Sequence, residues 1–141
     1  MIRIDIPATS ANLGSGFDSL GIALTMCNRV WMEEADELKI TTTDKIKVPT
    51  DETNLIYWAA RHLYQICGKT LPGLHIIQEN NIPMARGLGS SSACIVAGIL
   101  GANRMLGSPM SQSDLINLAA QIEGHPDNTS PAISGGLVAS A

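Results

Sequence analysis

A chain of 141 residues, 45% hydrophobic and 16% charged, is long enough to close one compact domain that buries roughly two-thirds of its unfolded surface, and it is too apolar to be disordered. Nine Lys and Arg against thirteen Asp and Glu leave a formal charge of −4, which argues against a nucleic-acid module or a polybasic membrane-surface segment. No apolar run reaches the roughly 18 residues that a spanning helix needs, and Cys27, Cys67 and Cys94 have neither CxxC spacing nor an even count. The cysteines read as small buried apolar residues.

Ile2, Ile4 and Ile6 alternate with Arg3 and Asp5 before Pro7 stops the run, which predicts a short half-buried strand and no signal-peptide core, hence a soluble, cytoplasmic chain. Ala8 to Ser19, with Gly14-Ser15-Gly16 at its centre, reads as a loop. Leu20 to Glu34 is largely apolar, and Val30, Trp31 and Met32 favour a long strand with Leu38 to Thr43 as its hairpin partner. Thr53 is the predicted N-cap of a helix in which Leu55, Ile56, Ala59, Leu63, Ile66 and Cys67 recur at helical spacing until Gly68. Leu74 to Glu79 is another short strand. Ser90 to Leu106 carries no charge before Arg104 and closes at Gly107, the pattern of a helix buried on most sides. Ser111 and Asp114 form an acidic variant of the capping box, and Leu115, Leu118, Ala119 and Ile122 give the next helix one apolar face as far as Glu123-Gly124. Gly136 to Ala141 reads as a strand just beginning or cut through. Strands alternate with helices and no linker or repeat divides the chain, so the expectation is one α+β domain, or part of one, with a mixed or antiparallel sheet packed on helices.

The strongest local signal is Pro83-Met84-Ala85-Arg86-Gly87-Leu88-Gly89-Ser90-Ser91-Ser92-Ala93, which runs straight into the uncharged helix. Gly87 and Gly89 permit torsions and close approach that side chains forbid, and the free N–H groups of a helix start carry roughly half a positive charge, so the stretch suits a phosphate. The serine hydroxyls can donate to phosphate or ligate Mg²⁺, and Arg86 can hold further negative charge. A glycine turn with serine caps would look the same.

Other nucleotide motifs fail on spacing. Gly68-Lys69-Thr70 lacks the earlier glycine of a P-loop, where Leu63 stands, and Leu71-Pro72 follows in place of a helix. Gly14-Ser15-Gly16 and Gly87-Leu88-Gly89 lack the third glycine of a dinucleotide fingerprint, having Ser19 and Ser92 there.

A second polar stretch, Pro7 to Asp18, carries Thr9, Ser10, Asn12 and Asp18 after the first strand and could present an amide and a carboxylate to a small ligand or simply be a solvated loop. A third, Glu123-Gly124-His125-Pro126-Asp127-Asn128, sets two carboxylates, an imidazole and an amide at a helix end, and a capped loop would have the same composition.

Together and in this order, the three stretches resemble the GHMP small-molecule kinase superfamily, and within it the members that phosphorylate L-homoserine. The resemblance runs along the whole chain and includes Pro131-Ala132-Ile133 and Gly135-Gly136 beyond the third stretch. It implies a GHMP kinase N-terminal domain of the ribosomal protein S5 domain 2 type, and transfer of the ATP γ-phosphoryl group to the side-chain hydroxyl of L-homoserine in threonine biosynthesis. By the same resemblance, the segment Pro83, Met84, Ala85, Arg86, Gly87, Leu88, Gly89, Ser90, Ser91, Ser92 and Ala93 wraps the nucleotide phosphates, and Asn54 matches a position that contacts adenine. Ser91 and Glu123 are implied as Mg²⁺ ligands. Asn12, Asp18 and His125 are implied in the substrate pocket, Asp18 against the substrate ammonium, and Asn12, Asn128 and Ser91 are implied as catalytic residues. Asn128 stands where mevalonate kinases of the superfamily resemble one another in having an aspartate base, and an amide is a poor proton acceptor near pH 7, so the hydroxyl proton is expected to pass to the phosphate itself.

The resemblance also implies a second, C-terminal domain absent from this chain, with the chain alone catalytically incomplete, and it leaves a homodimer open. Two other readings stand beside it: a sibling GHMP kinase acting on another small alcohol, and a non-catalytic S5-like RNA-binding module. The charge of −4 and a total of two Trp, two Tyr and one Phe speak against the RNA module.

Overall fold

The structure, a computed structural model, describes residues 1–7, 27–43, 47–80, 90–123 and 137–140. Its elements in chain order are β1 (Ile2–Pro7), β2 (Cys27–Glu34), β3 (Lys39–Thr42), α1 (Leu55–Ile66), β4 (Leu74–Glu79), α2 (Ser90–Met105), α3 (Gln112–Glu123) and β5 (Leu137–Ser140). The strands form one mixed sheet in the order β3-β4-β2-β1-β5.

Period-two alternation decides which face of the sheet is buried. Ile4 and Ile6 of β1, Val30 and Met32 of β2, Ile40 of β3 and Leu74 and Ile76 of β4 all enter one core, shared with Ile56, Ala59, Ala60 and Leu63 of α1, Val96 and Ile99 of α2, and Leu115, Leu118 and Ala119 of α3. The opposite phase of the same strands carries Arg3, Asp5, Arg29 and Glu79. Arg29 spans three strands there, with Nη1 donating to Glu79 Oε2 at 2.5 Å and Nε 4.0 Å from Asp5 Oδ1.

The expected hairpin between β2 and Leu38–Thr43 does not form. β3 pairs with β4 in parallel, Ile40 opposite Ile76, and β4 takes the place beside β2, antiparallel, with Val30 opposite Gln78. Burial accounts for the exchange: β4 brings the fully buried Leu74 and Ile76 to an interior position, whereas β3 has four residues with only Ile40 buried, which suits an edge. The chain leaving β2 is held by Ala35 N–H donating to Gly73 O at 3.1 Å, and a Cβ on Gly73 would lie 2.6 Å from the Glu37 backbone. The closing residues 137–140 are a paired strand, antiparallel to β1 from Ile2 opposite Ser140 to Asp5 opposite Leu137.

Helix ends follow the sequence signals with one shift. Asn54, not Thr53, caps α1; Thr53 turns back to Asp51, its hydroxyl donating to the carboxylate at 2.5 Å and its N–H at 3.0 Å, and these bonds hold the Asp51 carboxyl below its ordinary range. α1 stops at Gly68, whose φ of +72° lets Lys69 N–H reach Tyr64 O at 2.8 Å and Gly68 N–H reach Gln65 O at 3.0 Å. α2 ends the same way at Gly107, and the side chain of Asn103 then exchanges hydrogen bonds with the Met110 backbone at 3.0 and 3.2 Å, fixing the short connection into α3. Ser111 Oγ accepts from Asp114 N–H at 3.2 Å and starts α3 as expected. Among the described residues no helix is long and apolar enough to cross a membrane.

Candidate functional site at the N-termini of α1 and α2

α2 begins at Ser90, inside the glycine- and serine-rich motif, so the first helical N–H groups belong to the motif itself. No acidic side chain stands in its first turn to offset the positive end of the helix dipole, and its one charge, Arg104, lies in the last turn. α3 differs, with Asp114 in its first turn. From Ala93 to Asn103 α2 is buried in the core except for the partly exposed Cys94. A buried helix that opens on an uncompensated serine-rich turn offers an anion fixed backbone donors in a rigid frame.

The N-terminus of α1 is built around the Asn54 amide, 3% exposed. Asn54 Oδ1 accepts from Ile56 N–H at 2.9 Å and Tyr57 N–H at 3.5 Å, while Nδ2 donates to Pro49 O and to Gln78 Oε1, both at 2.9 Å. Both lone-pair positions and both N–H bonds of the side chain are thus engaged inside the fold.

Ser90, Ser91 and Ser92 form the first turn of α2, Ala93 is buried behind them, and Glu123 is the last residue of α3. Asn12, Asp18, Pro83, Met84, Ala85, Arg86, Gly87, Leu88, Gly89, His125 and Asn128 lie outside the described residues, as do the side chains of Ser90 to Ser92 and of Glu123. Among the described residues no group of three or more His, Cys, Asp or Glu side chains gathers to hold a metal ion. Cys67 and Cys94, read as buried apolar residues, are partly buried and pack against the core, and the side chain of Cys27 is outside the description. Burial pushes the Cys94 thiol up to about 11, so it stays protonated at neutral pH and offers no thiolate for metal or nucleophilic chemistry.

Residues 54–136 match the family of GHMP kinases, N terminal domain, which covers more than half of the chain. The chain belongs to the GHMP kinase family. A homoserine kinase of Trichodesmium erythraeum (strain IMS101) is 50% identical over 140 residues, which is 96% of this chain and 46% of the relative. A homoserine kinase of Clostridium botulinum (strain 657 / Type Ba4) is 46% identical over 142 residues, covering 99% and 47%. The crystal structure of homoserine kinase from Cytophaga hutchinsonii ATCC 33406 superposes with a TM-score of 0.74 at 25% identity, over 97% of this chain and 47% of that one. The chain spans about half the length of the curated relatives it matches. The α+β class and the mixed sheet packed on helices are those of a GHMP kinase N-terminal domain.

Two features of this GHMP kinase domain were not singled out from its sequence. Gln78, 2% exposed, joins the Asn54 amide to that of Asn80, and a polar residue in the buried phase of Leu74-Ile76-Gln78 is the signal that marks it. Trp58 stacks on His62 on the outer side of α1, with ring centroids 5.3 Å apart and planes 4° from parallel. Their spacing of four residues is what one helix face requires. A shallow pocket of about 420 Å³ at the opposite end of β4 is lined by Glu33, Asp36, Glu37, Lys39 and His75 and shares no residue with the motif.

Proposed function

We propose that this chain is the N-terminal, ATP-binding half of a homoserine kinase, which transfers the γ-phosphoryl group of ATP to the side-chain hydroxyl of L-homoserine. The observation that carries this reading is the 46–50% identity, along nearly the whole chain, to relatives named homoserine kinase. The chemistry of the α1 and α2 N-termini supports it. Phosphoryl transfer passes through a loose transition state in which positioning and charge neutralisation supply most of the acceleration, and a rigid helix start with free N–H groups does both.

On this reading Gly87 to Ser92 enclose the nucleotide phosphates with backbone donors, and Arg86 adds charge. Ser91 and Glu123 would hold Mg²⁺: hydroxyl and carboxylate are hard oxygen donors of the kind it takes. Bound there, Mg²⁺ supplies neutralisation of the phosphate charge. Asp18 binds the substrate ammonium, His125 lines the amino-acid pocket, and Asn12 with Asn128 orients the reacting hydroxyl, whose proton passes to the phosphate. The whole protein would act in the cytoplasm on small molecules alone, in threonine biosynthesis, with a C-terminal half completing the substrate site.

The test is titration of the full-length protein with Mg·ATP and with homoserine, followed by a coupled ADP-release assay that compares homoserine, mevalonate and galactose. Turnover of homoserine far above the other two is the expected result. Preference for another alcohol would make the chain part of a sibling kinase, and retention of RNA on filters at physiological salt without ATP turnover would overturn the kinase reading.

A further inference from the structure

The structure assigns Gln78 as a positioning residue for the nucleotide, acting through a directed chain of three amides. This rests on the proposed ATP-binding reading and adds to it a residue outside the glycine- and serine-rich motif. Gln78 is the last inward-facing residue of β4, a place that Leu74 and Ile76 fill with apolar side chains two steps and one step earlier in the same row. A buried amide there costs free energy unless both of its ends are hydrogen-bonded, and both are. Its Oε1 accepts from Asn54 Nδ2 at 2.9 Å, and its Nε2 donates to Asn80 Oδ1 at 3.4 Å.

The orientation of the chain is forced from one end. The free N–H groups of Ile56 and Tyr57 can only donate, so Asn54 must turn its oxygen to the helix and its nitrogen to Gln78. Gln78 must then present oxygen to Asn54 and nitrogen to Asn80. Each amide therefore has a single orientation, set by the start of α1 and ending on the residue that immediately precedes the segment leading into the motif. The backbone of Gln78 is also held, its carbonyl accepting from Thr43 N–H at 3.0 Å. Gln78 touches neither phosphate nor metal on this account; it fixes the α1 N-terminus and the exit of β4 as one unit from which the motif departs.

The test is Gln78→Met in the full-length protein, which keeps length and apolar bulk and removes both hydrogen bonds. The expected result is a KM for Mg·ATP raised about tenfold with kcat and the KM for homoserine changed less than about twofold, the loss of one to two buried hydrogen bonds expressed at the nucleotide alone. Ile76→Val, on the same buried row, is the control for general loosening and is expected to leave the KM for ATP unchanged. Should Gln78→Met fail to fold, Gln78→Glu keeps an acceptor facing Asn54 and is read in the same way, with a smaller rise of about threefold expected. An unchanged KM for ATP, an equal rise for homoserine, or the same rise in Ile76→Val would overturn the assignment while the kinase reading stands. A wild-type protein that neither binds nor turns over Mg·ATP would overturn both.

Discussion

Gly98 of α2 lies directly against the backbone of Ile56 in α1, so close that a Cβ on it would strike the Ile56 carbonyl oxygen and come within 2.8 Å of Ala59 Cβ. The two helices meet at this point with nothing larger than the Ala59 methyl between them, and their approach sets where both N-termini stand.

Gly98→Ala should therefore destabilise the fold by about 1–3 kcal/mol, because overpacking exceeds the roughly 0.5–1 kcal/mol that alanine gains over glycine inside a helix. Urea denaturation measures it; a stabilised variant would mean that α1 and α2 can separate without loss.

Asn54→Ala removes an N-cap and leaves the buried Gln78 Oε1 without its donor. The expected cost is about 2–4 kcal/mol by the same measurement, with Asn54→Asp intermediate because it keeps the capping oxygen and loses the donors.

Tyr64 on α1 donates its hydroxyl to the Glu34 carboxylate, and burial, with Glu34 second, raises the phenol well above its ordinary value of 10.0. The fold therefore favours the protonated phenol. Its contribution is fully present below about pH 10 and is lost at higher pH, as the unfolded chain ionises before the folded one. Cys94, raised from 9.0 to about 11, acts in the same direction. Stability measured between about pH 8 and pH 11 should fall more steeply for the wild type than for Tyr64→Phe. Parallel curves would remove Tyr64 from the account.

In the proposed kinase, Asp18→Ala should raise the KM for homoserine by at least about a hundredfold while leaving that for ATP nearly unchanged, since it leaves a buried ammonium without its carboxylate. Equal losses for the two substrates would count against a substrate-binding role.

Asn12→Ala is expected to lower kcat more than Asn128→Ala, as follows if the hydroxyl proton goes to the phosphate and no residue at position 128 acts as base. Initial rates at saturating substrates decide; the reverse order would point to a proton-transfer role for the Asn128 region.

The elements themselves were legible in the sequence wherever one short-range rule governed them. Ile2-Ile4-Ile6 and Leu74-Ile76 fix strands by alternation, and Gly68 and Gly107 end helices where positive φ is needed. What alternation cannot say is which strand lies beside which: Ile40 follows the same pattern whether it faces β2 or β4, and only the larger burial offered by Leu74 and Ile76 puts β4 between them. Thr53 and Asn54 are both good caps on composition, and the choice fell to the residue that Gln78, twenty-four positions away, could satisfy. The phosphate-type motif was readable because its glycines and serines are contiguous. The chain of three amides was not, since Asn54, Gln78 and Asn80 come together only once the sheet has formed.

The pairing of Ile2 with Ser140 gives the sheet a timetable. Strand β1 borders β2, made shortly after it, but its other edge has no neighbour until residues 137–140 have been synthesised. Until then that edge carries open N–H and C=O groups, and closing it means joining segments far apart in the sequence, a slow, long-range event. Arg3 and Asp5 put charge on the waiting strand, which discourages a foreign strand from docking there first.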